Sequence, residues 1–241
     1  MEVTQEKQDD KTVKIDITRT NVEDSISIVI VNKDKPEYLN ICLQSIAVNS
    51  SNNNYEIIVV DNASGPETQA FLYDLEKDVK VIRNEKNLYF SAAANIGYAS
   101  ADVKSKYIIF MHSDTVVLSP AWIDLLINVA ESNKSGMVGL ESGQYYIGNQ
   151  KIEFVSEWCV LFTRACFDKV GRWPEQLPLV GNAFIATLKA QQEGFQPQIM
   201  KNTITHHYKI FGIDVNQYEK ISEEALALLP KMVSQVQSRS L

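Results

Sequence analysis

Between residues 25 and 130 the hydrophobic pattern switches repeatedly between strand and helix periods, and this alternation bounds the fold more tightly than any other feature. Ile26-Ser27-Ile28-Val29-Ile30-Val31 is a short apolar run rich in β-branched residues, the pattern of a strand buried on both faces. Behind it, Pro36 suits the first position of a helix on which Leu39, Leu43 and Ile46 share one face. The unit then repeats. A strand over 56–60 ends at Asp61, and a helix over 66–76 turns Phe71, Leu72 and Leu75 inward. A strand over 79–82 precedes a short helix of small residues over 92–100. A strand over 107–111 precedes a helix opened by Pro120, with Ile123, Leu126, Ile127 and Ala130 on one face. Such alternation predicts an α/β fold with a mostly parallel central sheet covered by helices. Sheets of this kind bind ligands outside the carboxyl ends of their strands. Asn32, Asp61, Asn84 and Asp114 all lie at or just past such ends and are expected to converge on one crevice.

The second half is less regular. Strands are expected over 137–140, 158–162 and 196–200, and a hairpin joins 145–147 to 151–155 through Gly148-Asn149. A helix over 164–170 is closed by Gly171. Another runs over 183–193, with Asn182 as its N-cap and Gly194 at its end. A terminal helix over 222–237 is expected to bend or break near Pro230. Residues 13–17 alternate and suit an edge strand.

The 241 residues fit one large α/β domain with short appendages. A formal net charge of -7, with no basic block, argues against broad nucleic-acid binding. The three cysteines, Cys42, Cys159 and Cys166, are odd in number and form no Cys-x-x-Cys pair. They predict buried thiols in a reducing compartment rather than disulfides or a zinc site. The first residues are polar and acidic, unlike a secretory signal. No window supplies the ~20 apolar residues of a transmembrane segment. A cytoplasmic protein is therefore expected, with peripheral attachment through a partner left open. Glycine-rich dinucleotide and P-loop motifs, a Gly-x-Ser-x-Gly elbow and the zinc-deaminase pattern are all missing.

Asp114 stands two residues past an apolar strand, in Phe110-Met111-His112-Ser113-Asp114-Thr115. A hard divalent cation bridging a diphosphate takes oxygen ligands of this kind. On local spacing alone, Asp114 is read first as a loop aspartate making an Asx turn. Asp61, before Asn62-Ala63-Ser64-Gly65, suits either a turn or a carboxylate that accepts a nucleobase N–H. His206 and His207 offer imidazoles to a site begun by Asp114, although a lone histidine is more often a surface or core residue. His112 is also in reach, which leaves a two-histidine, one-carboxylate iron centre as a formal alternative.

Several ordered runs carry a resemblance: Ser27 to Ile46, Ile58 to Ser64, Asn87 to Gly97, Phe110 to Thr115, Ser156 to Arg164 and Phe167 to Glu175. In this order they resemble family 2 glycosyltransferases of the GT-A (nucleotide-diphospho-sugar transferase) fold, particularly the rhamnosyltransferase-like branch, from about Ile26 to Gly212. The resemblance implies metal-dependent transfer of a sugar to a hydroxyl acceptor. The implied donor is a nucleoside-diphosphate sugar, UDP- or dTDP-linked by preference, and the cofactor is Mn2+ or Mg2+. Asp61 would contact the base, in a donor site with Asn32, Asn62, Asn87 and His112, and Asn95 would serve the ribose–phosphate region. Asp114 would hold the metal with His206, and His207 would be the fallback. Tyr89 replaces a usual glycine, and His112 stands at the first position of an Asp-x-Asp-like motif. Where the family has Gly-Glu-Asp-x-Asp, which supplies the general base, this chain has Gly181-Asn182-Ala183-Phe184-Ile185. Glu157, then Glu175, are the first candidates to replace it. The alternative is a non-catalytic domain that binds nucleotide sugar or serves as an assembly subunit. On this reading residues 1–24 are an N-terminal extension and 25–215 the GT-A domain. That domain divides into a nucleotide half, 25–118, and an acceptor half, 119–215. Residues 216–241 form a helical extension.

Overall fold

A computed structural model describes residues 25–50, 53–200, 205–209 and 214–238, so the expected edge strand over 13–17 lies outside the described residues. Strands and helices alternate through the first half: β1 (Ile26–Asn32), α1 (Pro36–Asn49), β2 (Tyr55–Asp61), α2 (Pro66–Leu75), β3 (Lys80–Arg83), α3 (Tyr89–Ala99) and β4 (Tyr107–His112). A short β5 (Thr115–Val117) and α4 (Trp122–Glu131) follow. The second half contributes β6 (Met137–Gly139), the hairpin β7 (Ser142–Ile147) and β8 (Gln150–Val155), and β9 (Cys159–Thr163). It continues with α5 (Arg164–Val170), α6 (Asn182–Gln192), β10 (Gln198–Ile199), β11 (Thr205–His207) and α7 (Val215–Gln237).

The central sheet has seven strands in the order β10-β6-β9-β4-β1-β2-β3. It is mostly parallel, because only β9 runs against its neighbours β4 and β6. The β-branched strands bury both faces. Ile28, Ile30, Val59, Ile109 and Met111 pack with Leu39, Leu43 and Ile46 of α1 and with Trp122, Ile123 and Leu126 of α4. Val29, Ile58, Val60 and Phe110 face the other way, onto Phe90, Ala93 and Ala94 of α3, Phe167 of α5 and Ala183 and Ala186 of α6. A third cluster joins Phe184 and Ile185 of α6 to Ala225, Leu229, Val233 and Val236 of α7. Cys42, Cys159 and Cys166 are free and buried, and burial lifts each thiol above its ordinary range, Cys166 to about 12.

Three expectations are revised. Helix α7 starts at Val215 rather than Ser222, with the Asp214 carboxylate accepting from the N–H groups of Asn216 and Gln217. It also continues through Pro230, whose flanking Leu229 and Val233 are buried against the rest of the third cluster. A proline inside a helix costs ~3 kcal/mol, and burying side chains of this size offsets a cost of that order. At α6 the cap is Gly181, with φ 79°, and Asn182 is the first helical residue. Its buried amide donates to Ser91 Oγ at 3.1 Å and accepts from Ala183 N at 2.6 Å.

The small residues of α3 allow that helix to lie close on β1 and β2. A Cβ at Gly97 would fall 2.3 Å from Val29 Cγ1 and 3.0 Å from Val60 Cγ2. Both valines are buried and short, so the backbones must part to admit it. Gly97→Ala should therefore lower stability by about 1–3 kcal/mol, although alanine is the better helix former. Urea unfolding checks this; an unchanged or higher midpoint would contradict the close approach.

Candidate active site

The parallel register delivers polar residues to one level of the sheet. Asn32 pairs with Asp61 across β1 and β2, and Val31 pairs with His112 across β1 and β4. Beyond these ends opens a crevice of about 530 Å³, whose wall includes Asn32, Asn62, Asn87, His112, Asp114, Glu157 and His207. Asn32 is fully buried, and neither atom of its side-chain amide has a hydrogen-bond partner among the described residues. A buried, unsatisfied amide costs about 1–3 kcal/mol, so an amide left this way at a crevice wall is suited to a ligand.

The asparagines around it shape the rim. Asn62 donates to Tyr89 O at 3.0 Å and accepts from Asn84 Nδ2 at 3.0 Å and Leu88 N at 3.3 Å. Asn87 accepts from Tyr89 N at 2.9 Å. Together they hold Tyr89 at φ 59°, a left-handed conformation that a bulky side chain rarely adopts. The Tyr89 hydroxyl in turn accepts from Gln217 of α7 at 2.9 Å.

Two residues expected at the donor are not in the wall of this crevice. Asp61 is buried outside the crevice wall, its carboxylate accepting from Ser64 Oγ and, at 3.3 Å, from Ser64 N. Asn95 is buried against the loop that follows α5. It donates to Trp173 O at 2.9 Å and Glu175 Oε1 at 3.1 Å, and accepts from Trp173 N at 2.9 Å. Its amide therefore ties α3 to the loop after α5 and does not reach the crevice wall.

The metal-capable side chains are assembled by an antiparallel pair. Strand β11 runs against β5 with His207 opposite Thr115 and His206 opposite Val116. Because side chains alternate along a strand, His207 turns toward Asp114, with Nε2 3.2 Å from Oδ1. His206 is exposed and packs edge-on against Tyr208 at 4.8 Å. The His207 ring also stacks on Trp158 at 4.8 Å with an interplanar angle of 9°. The His112 ring lies edge-on to His207 at 5.3 Å and to Phe90 at 5.1 Å. One donor atom from each of His112, Asp114 and His207 lies within 4.8 Å of the others. Burial and the neighbouring His207 push the His112 pKa down to about 4 against the pull of Asp114, so the imidazole is neutral and its lone pair is available.

Glu157 lines the same crevice. Its enclosure there pushes the carboxyl above the usual carboxylate range, with the charge of Glu141 adding to the shift and His207 and a backbone N–H opposing it. Glu175 is exposed and bound to Asn95, away from the crevice. Ala183, Phe184 and Ile185 are buried in the second and third clusters, so none of them presents a group to the crevice. Sequence reasoning missed Lys33, Trp158, Lys209 and Tyr218 in the wall. Trp158 beside Glu157 was a readable signal; Tyr218 belongs to the unforeseen first turns of α7.

This sheet order, with its crevice at the carboxyl ends, is the GT-A fold of nucleotide-sugar transferases. It is shared at a TM-score of 0.62 by the mannosyltransferase PcManGT from Pyrobaculum calidifontis, solved in complex with GDP-Man and Mn2+. That match has 11% identity and covers 81% of this chain and 59% of that one. TarS residues 1–349 of S. aureus, in complex with UDP, gives a TM-score of 0.59 at 13% identity, covering 85% of this chain and 71% of that one. The glycosyl transferase family 2 profile matches residues 27–189, and the chain belongs to that family. The O-antigen biosynthesis protein RfbC of Myxococcus xanthus is 21% identical over 219 residues, covering 76% of this chain and 17% of its own length. An uncharacterized glycosyltransferase of Haemophilus influenzae is 30% identical over 111 residues, 45% of this chain and 33% of its own length. The chain thus spans a third or less of those relatives.

The arrangement of Asn95 has a measurable consequence. Asn95→Ala removes three hydrogen bonds and strands the buried N–H of Trp173. It should lower stability by about 1–3 kcal/mol, measured by chemical denaturation; a change within error would mean that the link between α3 and the loop after α5 contributes nothing.

Proposed function

We propose that this domain is a cytoplasmic, cation-dependent transferase that moves a sugar from a nucleoside-diphosphate donor, UDP- or dTDP-linked by preference, to a hydroxyl acceptor. The observation that carries the reading is the pairing of Asp114 with His207 at 3.2 Å, in the crevice that also presents the Asn32 amide. The family match and the nucleotide-bound neighbours support it. Asn32 accepts the N3–H of uracil or thymine and donates to an adjacent ring carbonyl, while Asp61 fixes the turn behind it through Ser64.

A divalent ion held in the crevice would supply positive charge to a departing diphosphate. Its donor set fits Asp114 and His207, with His206 facing away. Glu157 takes the proton from the acceptor hydroxyl. Its raised pKa makes it a stronger base than an ordinary glutamate, and the base form is lost as pH falls through that raised value. Trp158 stacks against His207 and forms part of the crevice wall. A second reading, donor binding without transfer, is favoured by the burial of Ala183 and Ile185 where the family keeps carboxylates.

Two measurements test the proposal. In thermal-shift titrations with MnCl2 and UDP, Asp114→Ala should abolish the stabilisation that needs both; retention of the full shift would remove Asp114 from the site. In pH–rate profiles, wild-type turnover should fall on the acid side at a pH above the ordinary glutamate range. Glu157→Gln should erase that limb and slow turnover by roughly 10²–10⁴. Wild-type rates in Glu157→Gln would exclude it as the base, and a wild type that binds UDP-sugars without consuming them would select the second reading.

A further inference from the structure

We propose that His112 completes a two-imidazole, one-carboxylate ion site in this domain. Such a site holds a first-row transition ion before any nucleotide arrives and discriminates against Mg2+. The inference rests on the reading of Asp114 and His207 as ion ligands and adds a third, with a consequence for which ion binds.

His112 is the last residue of β4, and its backbone is fixed on both sides: by pairing with Val31 and by the bond from its N–H to Trp158 O at 2.9 Å. Its ring rests edge-on against Phe90 and His207. Asp114 follows two residues later, and Tyr208 N binds Asp114 O at 3.1 Å, which ties the turn to β11 and so to His207. The three side chains thus come from two strand segments tied to each other by backbone hydrogen bonds. An ion with bonds of about 2.0–2.2 Å places neighbouring ligand atoms roughly 3 Å apart, and the His207–Asp114 pair already stands at 3.2 Å. The donor atoms of all three residues lie within 4.8 Å of one another, which puts His112 in reach of the same ion.

The donor types then decide the ion. Mg2+ keeps near-octahedral oxygen coordination and gives up water reluctantly. Imidazole nitrogen favours later first-row ions, whose affinity for nitrogen and oxygen sites rises from Mn2+ through Fe2+ and Co2+. A site with two imidazoles and a single carboxylate offers Mg2+ one oxygen and little compensating charge, whereas it offers Co2+ or Zn2+ three good donors. Three ligands from the protein leave the remaining positions open to water and to diphosphate oxygens.

The test is calorimetric titration of the full, chelator-treated chain with CoCl2, ZnCl2, MnCl2 and MgCl2 without nucleotide, with the visible absorption of Co2+ as an independent signature. Co2+ and Zn2+ should bind one to one, Mn2+ more weakly, and Mg2+ at least 100-fold more weakly than Co2+. His112→Asp should narrow the Co2+ to Mg2+ ratio by tenfold or more, His112→Ala should weaken Co2+ and alter its spectrum, and His206→Ala should do neither. Mg2+ within threefold of Co2+ in the wild type would overturn the proposal whatever the variants do. An unchanged ratio in a folded His112→Asp protein would overturn it too. Selective Co2+ binding that ignores added UDP would support this site and count against the transferase reading, which keeps the two separable.

Discussion

The pairing of β1 between β2 and β4 decides where everything else can go. Parallel strands have no tight turn between them to set their alignment, so the buried pattern must do it. In β1, Ile28 and Ile30 belong to the α1–α4 side and Val29 to the α3–α5 side, and both sides are filled. A slip of one residue would exchange these two sets. The register that avoids this also puts Asn32 beside Asp61 and Val31 beside His112. Packing of apolar residues thereby positions the polar ends of the strands. The close seat of α3 at Gly97 carries the same constraint to the rim, because the loop held by Asn62 and Asn87 leads directly into that helix.

The strand–helix alternation made the first half of the fold legible, since each unit buries one period against another. The crevice could be read in part from where apolar runs stop: Asn32 and Asp114 line it, whereas Asp61 and Asn84 at the other two strand ends are not in its wall. What could not be read was the closing of the site by β5 and β11. Each is three residues long, too short for a period to show, and only their pairing distinguishes His207 from His206. Resemblance placed Asn95 near the donor, but an asparagine in such a motif serves equally well as a buried link, and its three bonds to Trp173 and Glu175 make it one. The start of α7 was missed because residues 215–221 are mostly polar; the Asp214 cap was the available signal.

The site also draws on chain beyond the stretch that the family profile matches, residues 27–189. His207 arrives on β11, and Tyr218 lines the crevice from the first turns of α7. The third cluster holds α7 against α6, the helix capped by Gly181, which is itself in the crevice wall. Tyr89, held in a left-handed conformation, reaches Gln217 at the same end of α7. Strain at one side chain and helix packing at another therefore bear on a single wall, and no described helix is long and apolar enough to cross a membrane.

The three thiols give the molecule built-in reporters. Alkylation requires the thiolate, and burial holds each of these thiols protonated and out of reach while its surroundings stay shut. Cys42 and Cys159 sit in the cluster beneath α1 and α4, and Cys166 in the one across the sheet. Their separate rates of modification would follow transient openings of the two faces. If all three react together, the faces breathe as one unit; if Cys166 runs ahead, the side carrying α5 loosens first.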